Sequence, residues 1–204
     1  MSAVKTIWMQ DVALMRWTFL LWWMLANTVG GAIIGALEEG GFQFLATLVL
    51  TGPVLGIAQW LVIRSYIGHT GWWVIGSSVG WFLGILLNIM ATGILNSIVQ
   101  VLLAVGGLWE VFWLNLVNEP VTAAVLGVSQ WFVLRRHIQH AGRWILASAV
   151  GGAVHGAVGA ALCAAVCQAI TSAEMATAVT YGAGWAGYGA VTGIMLVSLL
   201  QNRY

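Results

Sequence analysis

Apolar residues run through this chain in long stretches broken by short polar clusters. The stretches cover 17–37, 42–63, 72–95, 111–134, 144–169 and 176–200. Each is close to the roughly 20 residues an α-helix needs to cross a bilayer. None alternates polar and apolar as barrel strands do. The pattern predicts an all-α fold class: a polytopic membrane helix bundle of six transmembrane helices. The clusters between them, Glu38-Glu39-Gly40-Gly41, Arg64 to Gly71, Arg135 to Arg143 and Thr171 to Glu174, read as turns. Residues 1–16 set Lys5, Asp11 and Arg16 among Ile7, Trp8, Val12 and Leu14, which reads as an interfacial helix. No small-residue cleavage site follows, so they make a poor signal peptide. Residues 96–112 are apolar but carry Asn96, Ser97, Gln100 and Glu110, and read as an interfacial or re-entrant insertion.

The second half of the first repeat recurs. Residues 51–80 laid on 122–151 give 15 identities in 30 positions, among them Gly56/Gly127, Gln59/Gln130, Trp60/Trp131, Arg64/Arg135, His69/His140, Trp73/Trp144 and Ser77/Ser148. A fixed offset of this kind signals duplication. Glu39 matches Glu110 at the same offset. A fainter copy closes the chain: Gly189-x-x-x-Gly193 mirrors Gly52-x-x-x-Gly56, with Leu196 and Val197 where Gln59 and Trp60 stand. Val29-Gly30-Gly31, Val79-Gly80-Trp81 and Val150-Gly151-Gly152 match as well. The expected organisation is a single membrane domain, 1–204, of three parallel-repeat αα hairpins at 17–66, 67–138 and 139–204.

Composition narrows this further. The chain is 61% hydrophobic and 6% charged, against about 25% charged in soluble domains, so lipid rather than water must cover most of it. Net charge near zero excludes a nucleic-acid footprint. With six crossings, Lys5, Arg16, Arg64, Arg135, Arg136, Arg143 and Arg203 fall on one side, and Glu38, Glu39, Glu110, Glu119 and Glu174 on the other. The positive-inside rule then places both termini in the cytoplasm, in a bacterial inner membrane or an internal membrane of the photosynthetic type. A seventh crossing at 96–112 would invert every later charge. Cys163 and Cys167 lie one turn apart in an apolar run and read as small packing residues.

Few side chains at membrane depth can carry chemistry. Gln59 and Gln130 need partners in lipid; an interhelical bond, with Ser77 or Ser148 as the acceptor, is the plain reading, and a ligand or ion site shared by two repeats the sharper one. His155 lies between Gly152 and Gly156. A hydrogen-bonded packing role competes there with a proton relay and with axial ligation of haem or chlorophyll, although a bis-histidine haem would want a second intramembrane histidine. His69 and His140 read as caps on the ends of segments two and four or as headgroup contacts. Arg64 and Arg135 read as topology anchors that snorkel to phosphate. Glu39 and Glu110 read as solvated outer turns, and Glu119, with Asn115 and Asn118, as the lining of a shallow outer cavity. The thirteen tryptophans read mostly as interfacial belts. No zinc motif, phosphate loop or nucleophile elbow is present, so no cofactor, metal or catalytic residue is expected and the chain does not read as an enzyme.

The Gly-x-x-Gln-Trp…Arg hairpin followed by a Trp…Ser…Gly helix, residues 51–88 and 122–159 here, resembles a group of uncharacterised bacterial multi-pass membrane proteins. The resemblance implies topology and no function. Six spans in about 200 residues is also similar in size to the substrate-capturing subunits of vitamin uptake systems, which do not show this duplication. The first expectation is a non-catalytic accessory or structural subunit, contacting membrane lipids and other membrane subunits or further copies of itself. The alternatives are a small-solute transporter or channel with a site at the repeat axis, and a pigment, haem or quinone carrier using His155.

Overall fold

The computed structural model describes residues 2–68 and 70–201, with side chains from Arg16 onward. It is all-helical, with no strand among the described residues. We number its helices α1 (Ser2–Leu37), α2 (Thr51–Ile63), α3 (Trp72–Gly106), α4 (Glu110–Leu134), α5 (Arg143–Val166) and α6 (Ala173–Gln201). Five helical stretches, with Arg16–Ile63 taken as one of 48 residues, are long and apolar enough to cross a membrane. They mark an integral membrane protein.

The 48-residue stretch is not a straight rod. Gly41 adopts φ +91°, a conformation that side chains resist. Asn27 and Gln59, 32 residues apart, are nevertheless joined by a 2.8 Å hydrogen bond. A straight helix would hold them about 48 Å apart. The arm after Gly41 opens with an α-helical turn at Gln43–Leu45 and then widens at Ala46–Leu50 before α2. Pro53 explains the widening: its ring clashes with the carbonyl four residues back. The Thr51 hydroxyl bonds the Ala46 carbonyl at 2.7 Å.

Two boundaries differ from the sequence reading. Residues 2–16 are continuous with the rest of α1, so no break sets off an interfacial helix. Residues 96–106 continue α3 instead of forming an interfacial or re-entrant insertion. No proline interrupts that run, and its polar groups find local partners: Ser97 Oγ donates to the Gly93 carbonyl at 2.9 Å, and Gln100 Nε2 to Glu110 at 3.3 Å. The helix stops at Gly107, whose φ of +62° lets its N–H return to the Leu103 carbonyl. At 35 residues, α3 is about 52 Å long, well beyond a hydrocarbon layer of about 30 Å.

Each helix packs against two others, and the order α1-α2-α3-α4-α5-α6 returns to α1, closing a ring. The glycines of the repeat permit these approaches. A Cβ on Gly56 would lie 2.9 Å from Cβ of Ser77, and one on Gly127 2.7 Å from Cβ of Ser148. Arg64, Arg135, Arg136 and Arg143 flank the loops joining α2 to α3 and α4 to α5. Contact between Gln59 and Gln130 holds both loops at one end of the ring, the basic end. Glu38, Glu39, Glu110 and Glu174 stand at the other.

Candidate functional site

Three buried tryptophans meet inside the ring, one each from α1, α3 and α5. Trp23, Trp73 and Trp144 are fully buried, with edge-to-face ring contacts at 6.1, 6.1 and 5.7 Å. Alternate helices of a ring touch only through its middle, so these indoles fill the axis. Buried indole N–H groups need acceptors. Trp73 donates to Gln59 Oε1 and Trp144 to Gln130 Oε1, each at 3.0 Å. These repeated donor and acceptor pairs are both 14 residues apart.

The third sector differs. Position 196 holds leucine where the glutamine would fall, and Trp23 donates to Thr192 Oγ1, also at 3.0 Å. The remaining amide groups bond one another: Gln130 Nε2 donates to Gln59 Oε1 at 3.0 Å and to Ser77 Oγ at 2.9 Å. Gln59 Nε2 donates to Asn27 Oδ1 at 2.8 Å, and Asn27 Nδ2 to the Trp23 carbonyl at 2.8 Å. Ser148, the counterpart of Ser77, has no glutamine opposite. Its hydroxyl faces that of Tyr188 without ideal hydrogen-bond geometry.

A second layer lies toward the acidic end. Trp81 of α3 and Trp185 of α6, on opposite sides of the ring, touch at 5.7 Å. Leu126 and Tyr188 pack with them. His155 lies 4.6 Å from the Trp185 ring, with Nε2 4.0 Å from Glu119 Oε2. A Cβ at Gly184 would lie 2.5 Å from His155 Nδ1, so that glycine is what admits the imidazole. Tyr181 stands edge-on to the His155 ring at 6.1 Å, with Glu38 nearby. Thr47 donates to Glu38 at 2.6 Å, while its carbonyl accepts Trp81 Nε1 at 2.6 Å. Glu38, Glu119, His155 and Tyr181 thus form a polar cluster above the indole layers.

The expected site residues therefore separate. Gln59, Gln130 and Ser77 come together, but on one another rather than around a cavity. Ser148 borders the same layer, and His155 belongs to the second. Glu119 reaches His155, whereas Asn115 bonds its own helix at Val111, and the Asn118 carbonyl accepts Asn88 at 2.8 Å. Glu110 starts α4 and accepts from Gln100; Glu39 is exposed.

Arg64 lies 4.7 Å from the Trp60 ring, and Arg135 4.9 Å from the Trp131 ring. Both form cation–π contacts at the basic end. His69 lies outside the described residues. His140 does not cap α4: it sits in the following turn at φ +54°, and its carbonyl accepts the Arg143 N–H. The Cys163 and Cys167 sulfurs are joined as a disulfide, which corrects their reading as separate packing residues. Their positions at the end of α5 let two sulfurs one turn apart meet where the helix unwinds.

The surroundings of the His155 ring are all protein. Nε2 looks toward Glu119, Nδ1 lies against Gly184, and Trp185 covers a face. Among the described residues no group of three or more His, Cys, Asp or Glu is placed to hold a metal ion.

Sequence reasoning missed Asn27, Thr192, Tyr181 and the buried role of five tryptophans. For Asn27 and Trp23 the signal was present. Val29-Gly30-Gly31 matches Val79-Gly80-Trp81, and the same register sets Trp23 and Asn27 on Trp73 and Ser77. Comparison with known proteins yields no match: no family model, no curated protein and no solved structure is similar to this chain.

Proposed function

We propose that this chain is a non-catalytic accessory or structural subunit of a membrane, with six crossings arranged as three parallel hairpins and both termini in the cytoplasm. One observation carries the reading. The amides of Gln59 and Gln130 at the ring axis bond each other and two indoles, and two layers of aromatic side chains fill the space a solute would cross. A transporter needs polar side chains that face an open path; here Gln59 and Gln130 bond each other and two indoles.

The sixth crossing is supported by the bond between Asn27 and Gln59 across the bend at Gly41. The orientation is supported by the gathering of Arg64, Arg135, Arg136 and Arg143 at one end. The lipid-facing surface, with Leu21, Val79, Phe132 and Ile194 all exposed, is then where lipids and other membrane subunits, or further copies, are met. Purification in mild detergent after cross-linking in the membrane tests this. A reproducible membrane partner or a defined oligomer is expected. A lone monomer that drives solute flux in proteoliposomes would overturn it.

A second reading has one observation in its favour. Glu38, Glu119, His155 and Tyr181 gather at the acidic end, where a solute arriving from outside would meet them. In that case Glu119→Gln would abolish solute-dependent protection of the protein against heat.

A further inference from the structure

Two grooves on the lipid-facing surface are built from matching residues. In the first, Trp22, Leu25 and Val29 of α1 face Leu61 and Val62 of α2. In the second, Trp72, Ile75 and Val79 of α3 face Phe132 and Val133 of α4. One wall recurs 50 positions later in the chain and the other 71, so the duplication has produced the same groove twice. Their volumes are about 560 and 950 Å³, within the usual range of ligand sites.

The grooves differ at the basic end. Ser65 and Tyr66 close the first, and the matching positions in the second are Arg136 and His137. The neighbouring Arg135 is engaged with the Trp131 and Phe132 rings. Arg136 is exposed, and among the described residues no carboxylate pairs with it. A guanidinium beside an imidazole, at the mouth of a groove walled by exposed Trp72, Ile75, Val79 and Phe132, matches one chemistry: an acyl chain ending in a phosphate. Apolar walls take the chain, and the guanidinium takes two phosphate oxygens in its planar fork.

We propose that the groove between α3 and α4 holds one anionic phospholipid of the leaflet at the basic end, its phosphate on Arg136 with His137 beside it, and that the sister groove between α1 and α2 takes lipid without regard to headgroup charge. The proposal rests on the reading of the chain as membrane-spanning, with its basic end among headgroups. It does not rest on the accessory role.

The test is native mass spectrometry of the full chain in mild detergent with phosphatidylglycerol and phosphatidylcholine of equal acyl length. One phosphatidylglycerol should be retained preferentially, by roughly fivefold for each cation at the headgroup. Arg136→Ser with His137→Tyr converts the site to its sister and should erase the preference. Ser65→Arg with Tyr66→His should create a second preferential site, which keeps the test decisive should the first variant fold poorly. The proposal fails if both lipids are retained equally, if the preference survives Arg136→Ser with His137→Tyr, or if excess inorganic phosphate displaces the lipid. Retention in detergent is blind to which face of the membrane holds the basic end, so an error in orientation and an error in the site are told apart.

Discussion

Gln59 and Gln130 occupy identical places in the duplicated sequence, yet their loads differ. Gln59 accepts from Trp73 and Gln130 and donates to Asn27, whereas Gln130 accepts only Trp144 and donates twice. Gln59→Leu orphans the Trp73 donor and the Asn27 acceptor and removes one of two acceptors from Gln130. Gln130→Leu orphans the Trp144 donor and the buried Ser77 hydroxyl, while Gln59 keeps two other partners. A buried polar group left unsatisfied costs about 1–3 kcal/mol. Each variant leaves an indole donor and a buried acceptor without a partner, so both should lower the thermal midpoint in detergent, each by at least about 1 kcal/mol. A variant that melts like the parent would show that the network is not shared as the distances imply. The third sector permits a converse test. Leu196 and Leu199 both belong to one buried apolar cluster with Phe19, Trp23 and Ile63; Leu196→Gln restores the amide that the other two repeats carry at this register, whereas Leu199→Gln adds one with no counterpart in them. The first should be tolerated and the second should cost at least about 1 kcal/mol more.

At the scale of the helix, small residues set how closely neighbours approach. A Cβ at Gly152 would lie 2.6 Å from the Glu119 carbonyl oxygen and 2.6 Å from the Ala123 Cβ. Backbone cannot yield as a flexible side chain can, so Gly152→Leu should separate α4 from α5 and cost about 1–3 kcal/mol or prevent folding. Gly93, with open space around it, should accept alanine with no loss and a gain from helix propensity of under about 1 kcal/mol. Thermal melts of the two variants side by side check both. The end of α5 makes a chemical prediction: unreduced protein should take up no maleimide at Cys163 or Cys167, and reduced protein should take up two. Labelling before reduction would remove the disulfide from the fold.

Across the whole molecule, the distribution of charge governs how the ring sits in a membrane. Single cysteines introduced at Ser65 and Gln139, in a chain lacking Cys163 and Cys167, should be labelled only from the cytoplasmic face, and one at Glu39 only from the opposite face. Labelling of Ser65→Cys and Gln139→Cys from different faces would contradict the shared basic end. Filling of the axis is also a property of the whole. Trp81 and Trp185 belong to runs far apart in the sequence, and each repeat supplies part of a plug that none could form alone.

Helix, membrane and duplication were legible in the chain itself because they rest on local quantities: unbroken apolar length, scarcity of charge, and identity at a fixed offset. Gln59, Gln130 and Ser77 stood out for the same reason, since an amide or hydroxyl in a long apolar run must find a partner. What that partner would be was not legible. Asn27, Thr192 and Trp23 close the network through contacts between residues up to 169 positions apart, and only packing of the last helix against the first brings them together. The same packing decided that five tryptophans leave the interface for the interior, that Gln59 and Gln130 meet each other, and that one copied groove ends in Ser65 and Tyr66 and the other in Arg136 and His137. Sequence fixes which groups must be satisfied; the closed ring fixes by whom, because the distance between helices is set by every side chain between them at once.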